Sequence, residues 1–301
     1  MEIINLKTMA KDVISEETVV ALGTFDGCHM AHKSVICAAV LAAKREGKRS
    51  VAYTFKSIPR SPRGIFTLEE KIKAIKSLGV DYIALEDFES VKEKSPEEFF
   101  VSVLKGELKA SSLSCGYNYR FGKGAKGTPD TLTELFLKNG GGSVRICEKI
   151  EVDGQPVSST RIRENITSGD IEALFSLGTC YSVYSPVEYG KQLATKMGLP
   201  TINQRIPKEK IVPKKGVYIT ECEIGEDVYP SITNVGVRPT TDENGEINIE
   251  THIIGYKGLL YGSYIRVNFY KYLREERKFS SSEELFSEIE RNKEAAIKYF
   301  K

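Results

Sequence analysis

The chain has 301 residues, 41% hydrophobic and 28% charged, with a formal net charge of +2. That length suits two domains with enough apolar material for two cores, and so small a net charge excludes a bulk electrostatic footprint for nucleic acid. Six cysteines with no Cys-x-x-Cys pair, beside three histidines, argue against a structural zinc site and suit a reducing cytoplasm.

In chain order, the opening MEIINLKTMAKDVISEE carries acids early and lacks the charged-then-apolar layout of a secretory signal. No later run approaches the roughly 18 apolar residues of a membrane span. Residues 19–22 form a short apolar strand that stops at Gly23. Val35, Ile36, Ala39, Val40 and Ala43 then recur at helical spacing and predict a helix over residues 33–46. Residues 50–55 read as the next strand. Thr67-Leu68-Glu69-Glu70 has the pattern of a capping box and opens a helix ending near Gly79. Residues 81–85 read as a strand. Ser95-Pro96-Glu97-Glu98 opens another helix, with proline in the first turn where its missing N–H costs nothing. Residues 113–116 and 144–150 read as strands, with a helix over 131–138 between them. The alternation predicts an α/β domain, a parallel sheet with helices on both faces and ligands beyond the carboxyl ends of its strands.

The pattern changes near residue 180. Residues 181–184, 216–222, 231–235, 247–254 and 264–270 alternate or are β-rich, separated by turn residues such as Gly225, Asp242-Glu243-Asn244-Gly245 and Lys257-Gly258. They predict a small β-barrel followed by an amphipathic helix over residues 282–300. The domains are expected at 1–180 and 181–301.

The segment Gly23-Thr24-Phe25-Asp26-Gly27-Cys28-His29-Met30-Ala31-His32 joins a strand end to a helix start and holds two of the three histidines. Free amides and partial positive charge at a helix start favour phosphate there. Histidines beside them can donate hydrogen bonds to charge developing on phosphorus. The plain alternative is a pair of solvated loop histidines. Ser158-Ser159-Thr160-Arg161-Ile162-Arg163 adds hydroxyls and two arginines, either a phosphate clamp or an ordinary helix cap with solvated charge. Gly116-Tyr117-Asn118-Tyr119-Arg120-Phe121-Gly122 is a glycine-bounded loop between the two.

These segments resemble prokaryotic FAD synthetases, whose Gly-x-Phe-Asp-Gly-x-His window belongs to the His-x-Gly-His signature of nucleotidylyltransferases. Ala31 stands where that family has glycine. Ser57 and Ile58 stand where many relatives have Pro-His-Pro. The resemblance implies a Rossmann-like adenylyltransferase domain. In it Gly23, Phe25, Asp26, Gly27, Ser159, Thr160, Arg161 and Arg163 meet ATP, His29 and His32 are catalytic, and Asn118 lines the nucleotide or flavin site.

The β-rich half is similar to riboflavin kinases. Lys196-Met197-Gly198-Leu199-Pro200-Thr201-Ile202-Asn203 resembles the family's Gly-Phe-Pro-Thr-Ala-Asn, with Leu199 for phenylalanine. Asn234-Val235-Gly236-Val237-Arg238-Pro239-Thr240, Leu260-Tyr261-Gly262 and Leu273-Arg274-Glu275-Glu276-Arg277-Lys278-Phe279 match further family segments. By that resemblance Thr201 and Asn203 hold Mg²⁺ on ATP, Glu250 is the carboxylate acting on the flavin's terminal hydroxyl, and Arg274 contacts flavin or nucleotide. Ile249, Thr251 and Ile253 on one face of a strand leave Glu250 and His252 on the other. Gly255 stands for a frequent family aspartate.

The chain is thus identified as a member of the bifunctional riboflavin kinase/FMN adenylyltransferase family. The expected substrates and products are riboflavin, FMN, FAD and ATP, with Mg²⁺ as cofactor and neither nucleic acid nor membrane as partner. Two other readings stay open: a kinase with a degenerate first domain, and a flavin-binding regulator without turnover. Oligomeric state is not legible.

Overall fold

A computed structural model describes residues 2–6, 14–59, 61–189, 200–237, 247–277 and 279–301. The segments Lys196 to Leu199, Arg238 to Thr240 and Asp242 to Gly245, and Lys278, lie outside the described residues. The chain divides into two compact units, Met1–Ser159 and Thr160–Lys301.

The first unit is built on strands β1 (Glu2–Asn5), β2 (Thr18–Leu22), β3 (Arg49–Phe55), β4 (Tyr82–Glu86), β5 (Ala110–Gly116) and β6 (Ser143–Cys147). They form one sheet in the order β1-β4-β3-β2-β5-β6, parallel throughout. Strand β2 is buried along its whole length, which explains its unbroken apolar run. Helices α1 (Met30–Glu46) and α2 (Leu68–Lys76) serve one face, where Val35, Ile36, Ala39, Val40 and Ala43 meet Val19, Ala21 and Ile83. After the short helix α3 (Phe88–Val91), α4 (Pro96–Phe99) runs on as a π-helical stretch, Phe100–Glu107. With α5 (Pro129–Lys138) it contributes Phe99, Phe100, Leu104, Leu132 and Phe136 to the core of the opposite face. The expected capping box at Thr67 starts α2, and the helix start expected at Ser95 proves to be a second capping box, opening α4. Strand β1 escapes sequence reading because only Ile4 of its four residues is buried.

Strand order positions the first site. From β2 the chain steps outward to β3 and β4, then crosses back to β5 on the other side of β2. The reversal opens a crevice beyond the carboxyl ends of β2 and β5. The histidine segment leaves β2 there, and the Gly116–Gly122 loop leaves β5. A two-residue hairpin, β7 (Glu151–Val152) with β8 (Gln155–Pro156), precedes α6 (Ser159–Ser168), whose first residue ends the first unit.

After α7 (Ala173–Ser176) the second unit holds β9 (Tyr181–Pro186), β10 (Thr201–Arg205), β11 (Gly216–Ile224), β12 (Asp227–Val237), β13 (Ile247–Ile253) and β14 (Tyr264–Arg274). They pair antiparallel in the order β10-β13-β12-β11-β14-β9. An antiparallel bridge between Glu188, just past β9, and Asn203 of β10 joins the two edges into a barrel. The interior holds Tyr181, Tyr218 and Phe269 beside a chain of buried hydroxyls. Thr220 meets Ser231 and Thr233 at 2.8 Å each, and Thr233 meets Thr251 at 2.9 Å. Each hydroxyl satisfies its neighbour, so the polar groups are buried without being orphaned. Strand β10 goes beyond the strands expected from sequence. The last helix, α8 (Ser282–Tyr299), packs beside β11 and β12 with Glu288, Asn292 and Ala296 buried along one stripe.

Candidate active sites

The segment after β2 is tightly wound. Phe25, Gly27 and Cys28 all have positive φ, at 47°, 75° and 36°. For Phe25 and Cys28 this is a strained conformation that the surroundings must hold. Gly23 is required for space, since a Cβ there would run into the Phe25 ring. Phe25 is itself fully buried and meets His32 edge-on at 5.5 Å.

His29 is the N-cap of α1, and its Nδ1 accepts the His32 backbone N–H at 3.4 Å. An accepting Nδ1 leaves the proton of the neutral ring on Nε2. The two imidazoles stack with centroids 3.7 Å apart. Burial holds His29 at about 4, with Lys33 adding to the effect. Burial, then His29, then Lys71 hold His32 well below the usual histidine range. Both rings are therefore neutral near pH 7 and act as N–H donors rather than cations. His32 Nδ1 is buried with no hydrogen-bond partner among the described residues.

Asp26 does a different job. It is 1% exposed, and one carboxylate oxygen accepts the amides of Ile65 at 2.9 Å and Phe66 at 3.2 Å. The other oxygen accepts Ile65 at 3.1 Å. The carboxylate clamps the approach to α2 onto the histidine segment. Ser159 Oγ donates to the Asp26 carbonyl at 3.0 Å, bringing the start of the second motif to the first. Thr160, Arg161 and Arg163 follow on α6 as members of the second unit. Asn118 is exposed on the loop after β5. A cavity of about 650 Å³ opens beyond β3 and β4, lined by Ser57, Ile58, Pro59, Asp87, Phe88, Glu89 and Ser90.

On the barrel, register builds a second constellation. Asn203 of β10 and Asn234 of β12 lie directly opposite Glu250 on its two sides. Thr201 Oγ1 donates to Glu250 Oε1 at 2.8 Å. Ile249, Thr251 and Ile253 point inward, and Glu250 and His252 share the partly exposed face. Hydroxyl, amide and a single carboxylate make an all-oxygen donor set, which fits a hard cation that keeps much of its own water. Arg274 is already engaged, its Nε 2.9 Å from Glu288 Oε1 of α8. Arg277 reaches the other Glu288 oxygen at 2.9 Å.

Sequence reasoning named Asn234 in a family segment without giving it a role, and missed the Ile65–Phe66 amides and Lys71. Lys71 left one signal: with Leu68 and Ile75 it falls on the apolar stripe of α2, an odd place for a charge.

Comparison with known proteins matches both halves of the chain. The FAD synthetase family model matches residues 11–161, and the riboflavin kinase model matches residues 177–300. The chain is 32% identical over 303 residues to a bifunctional riboflavin kinase/FMN adenylyltransferase of Bacillus subtilis, covering 96% of this chain and 95% of that protein. It is 27% identical over 298 residues to the enzyme of the same description from Escherichia coli K12, covering 95% and 93%. A crystal structure described as a macrolide-efflux protein from Streptococcus pneumoniae superposes with a TM-score of 0.87 at 27% identity, covering 98% of each chain. No helix among the described residues is long and apolar enough to cross a membrane.

Proposed function

The chain belongs to the bifunctional riboflavin kinase/FMN adenylyltransferase family, and from that premise we propose which of its residues carry each reaction. It uses ATP to phosphorylate riboflavin to FMN and to adenylylate FMN to FAD. In the adenylyl step the FMN phosphate attacks the α-phosphorus of ATP and pyrophosphate leaves. Neutral His29 and His32 donate ring N–H bonds to the charge growing on that phosphorus, and the first amides of α1 add to them. Gly23, Phe25, Asp26 and Gly27 shape this cradle from behind. Ser159, tied to the Asp26 carbonyl, meets the leaving phosphates, and Thr160, Arg161 and Arg163 keep the ATP contact that the family resemblance implies. FMN enters from the cavity beyond β3 and β4, and Asn118 on the loop after β5 lines the nucleotide or flavin site.

In the kinase step Glu250 orients the terminal hydroxyl of riboflavin and accepts its proton as the phosphoryl group transfers. Thr201 holds the Glu250 carboxylate in place. Thr201 and Asn203 would hold Mg²⁺, which neutralises charge on the ATP phosphates when bound. Arg274, paired with Glu288, orders the segment beside this face. The functional boundary falls near residue 180 in this reading, where β9 begins and just inside the start of the riboflavin kinase match. No disulfide joins the six cysteines, which supports residence in a reducing cytoplasm.

The observation that carries the reading is the stacked His29–His32 pair in the first unit and the Thr201–Glu250 pair in the second, one in each compact unit. One assay tests it: riboflavin and ATP are supplied, and FMN and FAD are separated by chromatography. His32→Ala lowers FAD formation by roughly 10²-fold or more and leaves FMN formation intact. Glu250→Gln lowers FMN formation by roughly 10²- to 10⁴-fold while supplied FMN is still adenylylated. Loss of both activities together in either folded variant overturns the assignment.

A further inference from the structure

Lys71 belongs to no motif, yet its side chain is only 1% exposed. Its Nζ donates to the Phe55 carbonyl, the last residue of β3, at 2.7 Å. The helix that carries it, α2, is fastened to the histidine segment through the Asp26 clamp on Ile65 and Phe66. The titratable groups that face it are Asp26 from the loop after β2 and His32 from the first turn of α1, with His29 stacked on His32. An ammonium buried on one carbonyl is costly, and an uncharged chain of similar length would fill the same space. The charge therefore calls for a use.

We propose that Lys71 is a positioning residue for adenylyl transfer, anchoring the end of β3 beneath the histidine pair and supplying a buried positive charge behind it. The inference rests on the assignment of His29 and His32 to that reaction. ATP and FMN bring several negative charges to the crevice beyond β2 and β5. A fixed cation in a poorly solvated setting attracts them more strongly than one in water. The same charge adds to burial and to His29, the larger causes, in disfavouring protonation of His32. Burial pulls Lys71 down to about 8 against the opposing influence of Asp26, so the charge is present at neutral pH and fades above it.

The test is the pH profile of FAD synthesis from supplied FMN, measured on the full chain from roughly pH 6.5 to 9.5. Riboflavin phosphorylation by the same samples is the reference. In the unaltered protein kcat/KM for FAD synthesis falls above about pH 8, while the kinase profile does not follow it. Lys71→Arg keeps a charge that does not titrate in this range and moves the fall to higher pH. Lys71→Met lowers the plateau roughly tenfold or more and abolishes the fall. A purely structural lysine would lower the plateau in both variants and leave the fall where it was, which overturns the proposal. If neither variant folds, the unaltered protein decides, because a flat FAD profile to high pH also overturns it. His32→Ala separates the two levels. Retained FAD synthesis in that variant sinks the underlying assignment, whereas its loss with an unmoved profile in Lys71→Arg sinks only the role of Lys71.

Discussion

Asp26→Asn is the most informative substitution in the first unit, because geometry gives this residue a role distinct from nucleotide contact. Its carboxylate accepts two backbone amides, Ile65 and Phe66, in a setting closed to water. Hydrogen bonds to a charged acceptor contribute about 1.5–3 kcal/mol each, against about 0.5–1.5 for neutral ones. Asparagine also turns an amino group toward the Ile65 N–H, donor against donor. For two amides the loss comes to about 2–3 kcal/mol. A unit of this size melts about 2–4 °C lower per kcal/mol, so its transition should fall by roughly 5–10 °C. Scanning calorimetry reads that shift, and the chromatographic assay shows FAD formation reduced with FMN formation spared. Had Asp26 met the nucleotide itself, the variant would raise the KM for ATP and leave the melting temperature where it was. That result would refute the clamp.

Two further outcomes follow from the same geometry. Thr201→Ala removes the hydroxyl that meets Glu250 at 2.8 Å, so FMN formation should need roughly tenfold more Mg²⁺ for half its maximal rate. A magnesium titration of both activities checks this, and an unchanged requirement removes Thr201 from the metal site. Acid should weaken the first unit through His29. Its folded-state value of about 4 lies below the 6.5 of an unperturbed ring, so the unfolded chain takes up the proton first as pH falls. The His29 contribution is fully present above about pH 6.5 and is lost toward pH 4, by about 3 kcal/mol. Urea midpoints at the two ends of that window should differ by less in His29→Gln than in the unaltered protein.

Much of this protein is determined locally and was legible in the sequence. The buried face of α1 follows from helical spacing, since Val35, Ile36, Ala39, Val40 and Ala43 are the residues the fold buries. The capping boxes at Thr67 and Ser95 and the alternation along β13 are likewise set by neighbours a few residues apart. Motif order alone placed two phosphate chemistries in two halves of the chain. Tertiary structure decided what those residues do for one another. Asp26 sits inside the segment whose sequence suggests phosphate binding, yet its side chain clamps amides 39 and 40 residues away. Thr201 and Glu250 meet across 49 residues because β10 and β13 are paired edge to edge, and β10 was not recognisable as a strand from its own residues. Lys71 shows in the sequence only as a charge out of place on the apolar stripe of α2, and packing of that helix makes it a buried cation. Periodicity reports which face of an element is apolar. Strand order and packing decide which distant groups share that face, and the chemistry of both sites depends on such groups.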